Sequence, residues 1–185
     1  MFCDLVGSTA LSVKLDPEDM RDVIRAYQDA CAAVVARHEG FVAKYMGDGV
    51  LVYFGYPTAH EDDAERAINT GPGIVEAVAA LAHDLAVRVG IATGTVVVGD
   101  IVGEGASREA AITGDTPNLA ARLQEIAGPG AVVIAETTRA LSGGLFELAD
   151  LGPTSIRVSL IRCGSGASIG RGAPKAASRR RAPAG

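Results

Sequence analysis

A Gly-Asp-Gly triplet at residues 47–49 stands between two apolar runs, Phe41–Met46 and Val50–Tyr56. This arrangement most narrows what the chain can fold into. A short glycine-bearing turn between two strand-like runs predicts a hairpin, with Asp48 at its tip. Near the start, Phe2-Cys3-Asp4-Leu5-Val6-Gly7-Ser8-Thr9 reads as a strand that delivers Asp4 to its end, then a small-residue turn and a helix. Each segment places one carboxylate at a chain reversal. Two carboxylates at strand ends can share divalent cations over a triphosphate, a recurrent solution for in-line displacement at phosphorus. Taken singly, Asp4 also reads as a helix cap and Asp48 as an ordinary hairpin residue.

The rest of the pattern supplies a frame for that pair. Asp16-Pro17 predicts a helix start, with Asp16 as N-cap and Pro17 at the first helical position. Met20, Val23, Ile24, Tyr27, Cys31, Val34 and Val35 share one helical face, and Gly40 is expected to end the helix. His60-Glu61-Asp62-Asp63 opens a second helix, its acids suiting the positive helix end better than a metal. Gly71-Pro72-Gly73 is expected to kink or break it, because proline lacks the amide and clashes with the preceding turn. Leu85, Val87, Val89 and Ile91 alternate with Ala86, Arg88 and Gly90 as a half-buried strand. Strands over 96–101 and 110–113 flank a polar loop over 103–109. A helix over 116–127, a strand over 131–135, a short helix over 136–141 and a strand over 145–151 complete the series. The order βαββαβ, then βαβαβ, predicts an α+β fold. Its opening half is a ferredoxin-like palm, an antiparallel sheet with helices on one face, followed by a C-terminal extension.

Bulk properties exclude several function classes. A chain of 185 residues can bury a real core as one domain. No apolar run approaches the roughly 18 residues that span a bilayer, and no signal-peptide pattern opens the chain, so no membrane partner is expected. Cys3, Cys31 and Cys163 are widely spaced and form no CxxC, which predicts a reducing, cytoplasmic setting with Cys3 and Cys31 packed in the core. His38, His60 and His83 show no metal-ligand spacing. The net charge is −5 overall, but residues 164–185 carry five cations and no acid, leaving −10 on residues 1–163. Such an acidic body does not suit a general nucleic-acid binder, whose affinity rests on phosphate neutralisation.

Four motifs occur in order: Phe2-x-Asp4-x-x-Gly7-Ser8-Thr9, Lys44-x-x-Gly47-Asp48-Gly49, Val87-Arg88-Val89-Gly90-Ile91-Ala92-Thr93-Gly94, and Gly114-Asp115-Thr116-Pro117-Asn118-Leu119-Ala120-Ala121-Arg122. Together they resemble the catalytic domain of class III adenylyl/guanylyl cyclases, in a bacterial adenylyl-cyclase-like branch, over residues 1–155. The resemblance implies that Asp4, Asp48 and the Leu5 carbonyl hold two Mg²⁺ or Mn²⁺ ions. It implies that Gly7, Ser8 and Thr9 offer backbone amides to phosphate oxygens. Lys44 matches the base-reading lysine. An ammonium only donates, adenine N1 accepts and guanine N1 carries a hydrogen, so Lys44 favours ATP. At Ala111, relatives often carry Asp or Thr as a second base reader, and alanine cannot take that role. Asn118 and Arg122 match the ribose-orienting asparagine and the arginine that stabilises charge developing on the phosphates. A surface salt bridge is the simpler account of Arg122, and a solvated strand lysine that of Lys44. Arg88 reaches phosphates or lies on an exposed strand face. Members of this class work as head-to-tail dimers, metal aspartates coming from one subunit and Lys, Asn and Arg from the other. A homodimer converting ATP to cyclic AMP and pyrophosphate is therefore implied; the alternatives are a non-catalytic remnant that dimerises or binds nucleotide, and a guanylyl cyclase.

Both ends depart from the family pattern. Only Met1, Phe2 and Cys3 precede Asp4, so upstream strand residues and partner regulatory domains are expected to be missing. After Pro153 a Lys-Gly pair and a later aromatic are expected, yet Ile156-Arg157-Val158-Ser159 follows. In one back-translation a single added nucleotide near Arg157 restores Ile-Lys-Gly-Phe, which suggests a frameshift that resequencing the locus decides. Residues 156–185 are accordingly expected to form an aberrant, disordered tail rich in Gly, Ala and Arg.

Overall fold

The computed structural model describes residues 1–98, 112–144, 146–150 and 158–161. Its elements run β1 (Phe2–Leu5), α1 (Ser8–Ser12), α2 (Pro17–Arg37), β2 (Phe41–Met46), β3 (Gly49–Tyr53), α3 (Asp63–Ala79), β4 (Val87–Ile91), β5 (Val97–Val98), β6 (Ile112–Thr113), α4 (Asp115–Ile126), β7 (Val132–Ala135), α5 (Glu136–Leu141), β8 (Leu148–Asp150) and β9 (Val158–Ile161). The described strands form a seven-stranded sheet in the order β2-β3-β1-β4-β7-β9-β8, with β5 and β6 paired separately. Within it β2-β3-β1-β4 is the expected antiparallel palm; β4 and β7 pair in parallel.

Strand alternation sorts the side chains between two faces. Cys3, Leu5, Val50, Val52, Val87, Val89 and Ile91 point to the face covered by α2 and α3, where they join Tyr27, Cys31, Val34, Ile68 and Ile74 in the main core. Asp4 and its cross-strand partners Gly49 and Arg88 point to the opposite face. There α4 packs through Leu123 and Ala127 onto Val133, Ala135 and Val158. The helices of the palm thus lie on one side as expected, while the helix of the extension covers the other.

Gly90 decides how closely α4 can approach. A Cβ on Gly90 would lie 2.1 Å from the Ala120 carbonyl oxygen and 2.4 Å from the Gln124 amide nitrogen. Only a residue without a side chain lets the helix backbone rest on the strand.

Three expectations need correcting. Of the kink or break expected at Gly71-Pro72-Gly73, the break does not occur: α3 runs on through all three residues. Its two glycines let it press close, since a Cβ would come 2.8 Å from Val132 Cγ1 at Gly71 and 3.0 Å from Val34 Cγ1 at Gly73. Burial of Ile68, Ile74 and Val78 then carries the helix across the missing proline amide. Gly40 ends α2 in a different role than a terminal glycine usually takes: the helix stops at Arg37, Glu39 at φ 56° makes the left-handed turn, the Gly40 amide donates to the Val35 carbonyl at 3.0 Å, and the missing side chain makes room for the Phe54 ring. Finally, residues 158–161, expected within a disordered tail, form β9 between β7 and β8. Val158 and Ile161 are buried there, so two apolar side chains and two ladders of main-chain hydrogen bonds outweigh the composition of the segment that follows.

Candidate active site

The carboxylate pair is assembled by strand register. Asp4 stands opposite Gly49 on β3 and opposite Arg88 on β4, so the hairpin tip that carries Asp48 lies beside it. Gln28 of α2 donates from Nε2 to the Gly47 carbonyl at 3.0 Å, tying the tip to the body of the protein. After β1, Gly7 adopts φ 72° and turns the chain into α1. That turn sets Ser8 over the hairpin, where its hydroxyl donates to Asp48 Oδ2. Leu5 is buried at the end of β1, while Gly7 and Thr9 are exposed.

Electrostatics match this crowding. Asp4 is held above the ordinary carboxylate range, chiefly by burial and then by the neighbouring Asp48 charge; Arg88 and a hydrogen bond from Gln124 pull the other way. Arg88 contributes a cation to this cluster, and its Nε is buried with no hydrogen-bond partner among the described residues. Two carboxylates that repel across a partly open site are a natural seat for hard cations. Among the described residues no cluster of three His, Cys, Asp or Glu forms a closed cage. A cation held by Asp4 and Asp48 would complete its shell with water and phosphate oxygens, as Mg²⁺ commonly does. The acidic cluster at the start of α3 is occupied otherwise: Arg66 pairs with Asp62 at 2.7 Å and with Glu39.

Lys44 stands on β2 opposite Leu51, which puts it on the same sheet face as Asp4, one row further along the strands. Asn118 and Arg122 are exposed on α4. Gln124, two positions after Arg122, points inward and reaches Asp4 with Nε2 at 3.3 Å from Oδ2. Two residues turn a helix by about 200°, so Arg122 faces away from the Asp4 of its own chain. Asn118 lies six residues before Gln124, about 9 Å back along the helix axis. There, at the far ends of β3 and β4, a cavity of about 280 Å³ opens between Leu51, Tyr53, Ile91, Thr93, Thr116 and Pro117. The carboxylates and this cavity thus lie at opposite ends of β3 and β4, and Asn118 stands exposed on α4 at the level of the cavity without lining it. Ala111 lies outside the described residues.

Sequence inspection missed Gln124. The signal was present, since Ala120, Leu123, Gln124 and Ala127 follow an i, i+3, i+4, i+7 pattern and a glutamine in an inward stripe calls for a polar partner.

Comparison with known proteins bears on family and fold. The model of the adenylate and guanylate cyclase catalytic domain matches residues 1–169. An adenylate cyclase of Streptomyces coelicolor is 35% identical over 136 residues, covering 72% of this chain and 31% of that protein. The adenylyl cyclase CyaB from P. aeruginosa superposes with a TM-score of 0.79 at 25% identity, covering 91% of this chain and 94% of that one. The guanylyl cyclase Cya2 does so at 0.77 and 30% identity, with coverage of 92% and 94%. The chain spans between 15% and 31% of the length of the first curated relatives it matches. Among the described residues no helix is long and apolar enough to cross a membrane. The chain belongs to the adenylate and guanylate cyclase catalytic domain family.

Proposed function

We propose that this domain converts ATP to 3′,5′-cyclic AMP and pyrophosphate, with two divalent cations per site, in a head-to-tail homodimer. The observation that carries the proposal is the pairing of Asp4 with the hairpin tip bearing Asp48, on the sheet face that also carries Arg88 and Lys44. Bound Mg²⁺ or Mn²⁺ would make the ribose 3′-hydroxyl more acidic and neutralise the triphosphate. Asp4 and Asp48 would hold those ions, with the Leu5 carbonyl as a further ligand. Gly7, Ser8 and Thr9 sit where the chain leaves β1 for α1, close enough to the carboxylates for their amides to meet phosphate oxygens. Arg88, the cation beside Asp4, would meet the same triphosphate.

The outward orientation of Asn118 and Arg122 supports a site completed by a second copy. Arg122 cannot serve the Asp4 that Gln124 of the same helix already contacts, but it can serve the partner's. In that arrangement Lys44 donates to adenine N1, Asn118 orients the ribose, and Arg122 meets charge that develops as the 3′-oxygen attacks the α-phosphorus and pyrophosphate departs. Positioning and electrostatics supply most of the catalysis in such transfers.

The test is purified protein incubated in parallel with ATP and GTP, each with Mg²⁺ or Mn²⁺, the products separated by chromatography. Cyclic AMP as the main product supports the proposal. Preferential use of GTP overturns the substrate assignment, and no cyclic nucleotide from a confirmed dimer overturns the activity.

A further inference from the structure

Gln124 stands out among the side chains on the sheet-facing side of α4. It is 5% exposed and shares an inward stripe with Ala120, Leu123 and Ala127. An apolar residue would fill that place without the cost of burying an amide. The amide is instead directed at Asp4, 120 residues away in the chain, with Nε2 at 3.3 Å from Oδ2. The reach is set by backbone contacts: the Gln124 nitrogen stands over Gly90, where a Cβ would come within 2.4 Å of it. Gly90 pairs with Phe2, and Arg88 with Asp4. From above Gly90 the side chain therefore extends two residue pairs along the strands, one row on the same face, to the carboxylate.

We propose that Gln124 is a positioning residue that grips one carboxylate oxygen of Asp4 and so presents the other to the catalytic cation. This rests on the metal-dependent reading of the site given above. A neutral donor suits the task, because it orients the carboxylate without cancelling the charge that attracts the ion. A lysine or arginine at this place would compete with the cation. A glutamate would have no hydrogen to donate and would add a third negative charge beside Asp4 and Asp48. Partners of this kind, bonded to a ligand rather than to the metal, typically cost 10–100-fold in metal affinity when removed.

The experiment uses the full chain and Mn²⁺ alone, with unbound Mn²⁺ followed by its paramagnetic resonance signal, and thermal melting recorded in metal-free buffer. Gln124→Met keeps the volume and drops the donor; Gln124→Leu drops it in a side chain suited to the apolar stripe and stands in should the first variant not fold. The expected result is Mn²⁺ binding roughly 10-fold weaker than in the wild type at a temperature where both are fully folded. The Mn²⁺ concentration giving half-maximal cyclisation should rise by a similar factor, with the KM for ATP at saturating Mn²⁺ unchanged. Equal Mn²⁺ affinity in a folded variant and in the wild type would overturn the role of Gln124 and leave the cyclase reading standing. Failure of the wild type itself to bind Mn²⁺ would sink both.

Discussion

Gly90 lies directly beneath Ala120, so close that a Cβ on the glycine would sit 2.1 Å from the Ala120 carbonyl oxygen. The obstacle is backbone on both sides and cannot swing away. Gly90→Ala should therefore lift α4 and lower stability by about 1–3 kcal/mol, the usual cost of overpacking, or somewhat more because helix backbone must move. Urea unfolding of the two proteins measures it. A variant as stable as the wild type would show that α4 does not rest on β4 in this way.

Asp4 offers a test of the opposite sign. Its folded-state pKa is raised, first by burial and then by Asp48, so the ionised form is less comfortable in the folded chain than in the unfolded one. The unfolded state then binds fewer protons than the native state between the two pKa values, and stability falls as pH rises through that window. In metal-free buffer at neutral pH, Asp4→Asn should melt at a higher temperature than the wild type. The gain should shrink once the pH drops below the ordinary carboxylate range, where wild-type Asp4 is protonated in both states. Melting curves at pH 7 and below about pH 3, under the ordinary Asp value of about 3.9, decide it, and the same substitution should abolish cyclisation.

Base selection should pivot on Lys44. Replacing it with glutamate exchanges a donor for an acceptor opposite the purine edge. Lys44→Glu should lower the rate with ATP by about 10–100-fold, the range expected when a charged hydrogen bond is lost, while turnover of GTP holds or rises. Initial rates with the two nucleotides, measured side by side, report the change. Equal losses with both would remove Lys44 from the base pocket.

The two half-sites can be separated by mixing. Asp48→Asn spoils one half and Arg122→Ala the other, and each variant alone should be nearly inactive. When equal amounts are mixed and allowed to exchange, half of the dimers are mixed and each holds one intact site, so about a quarter of wild-type activity should return. A mixture as inactive as its components would contradict a site built from two chains.

Much of this was legible in the chain. Alternation over residues 85–91, the glycine-bearing turn at 47–49 and the Asp16-Pro17 start were local signals that no tertiary contact overrode. Where inspection failed, distant packing decided the outcome. Pro72 reads as a helix breaker until Val132 and Val34 are seen pressed against the glycines beside it. Residues 158–161 read as part of a low-complexity tail until β7 and β8 offer them ladders on both sides. The role of Gly90 was hidden for the same reason: a glycine in a strand reports a close approach but not what approaches.

The contact between α4 and β4 also limits how such a domain can be switched. A helix whose backbone rests on a strand has no slack in which to slide or rotate alone. Arg122 and Asn118 ride on that rigid mount, so in the proposed dimer their distance from the partner's carboxylates would change only if whole subunits swivelled against each other. A signal reaching that dimer would act as torque between its halves, leaving the interior of each as it was.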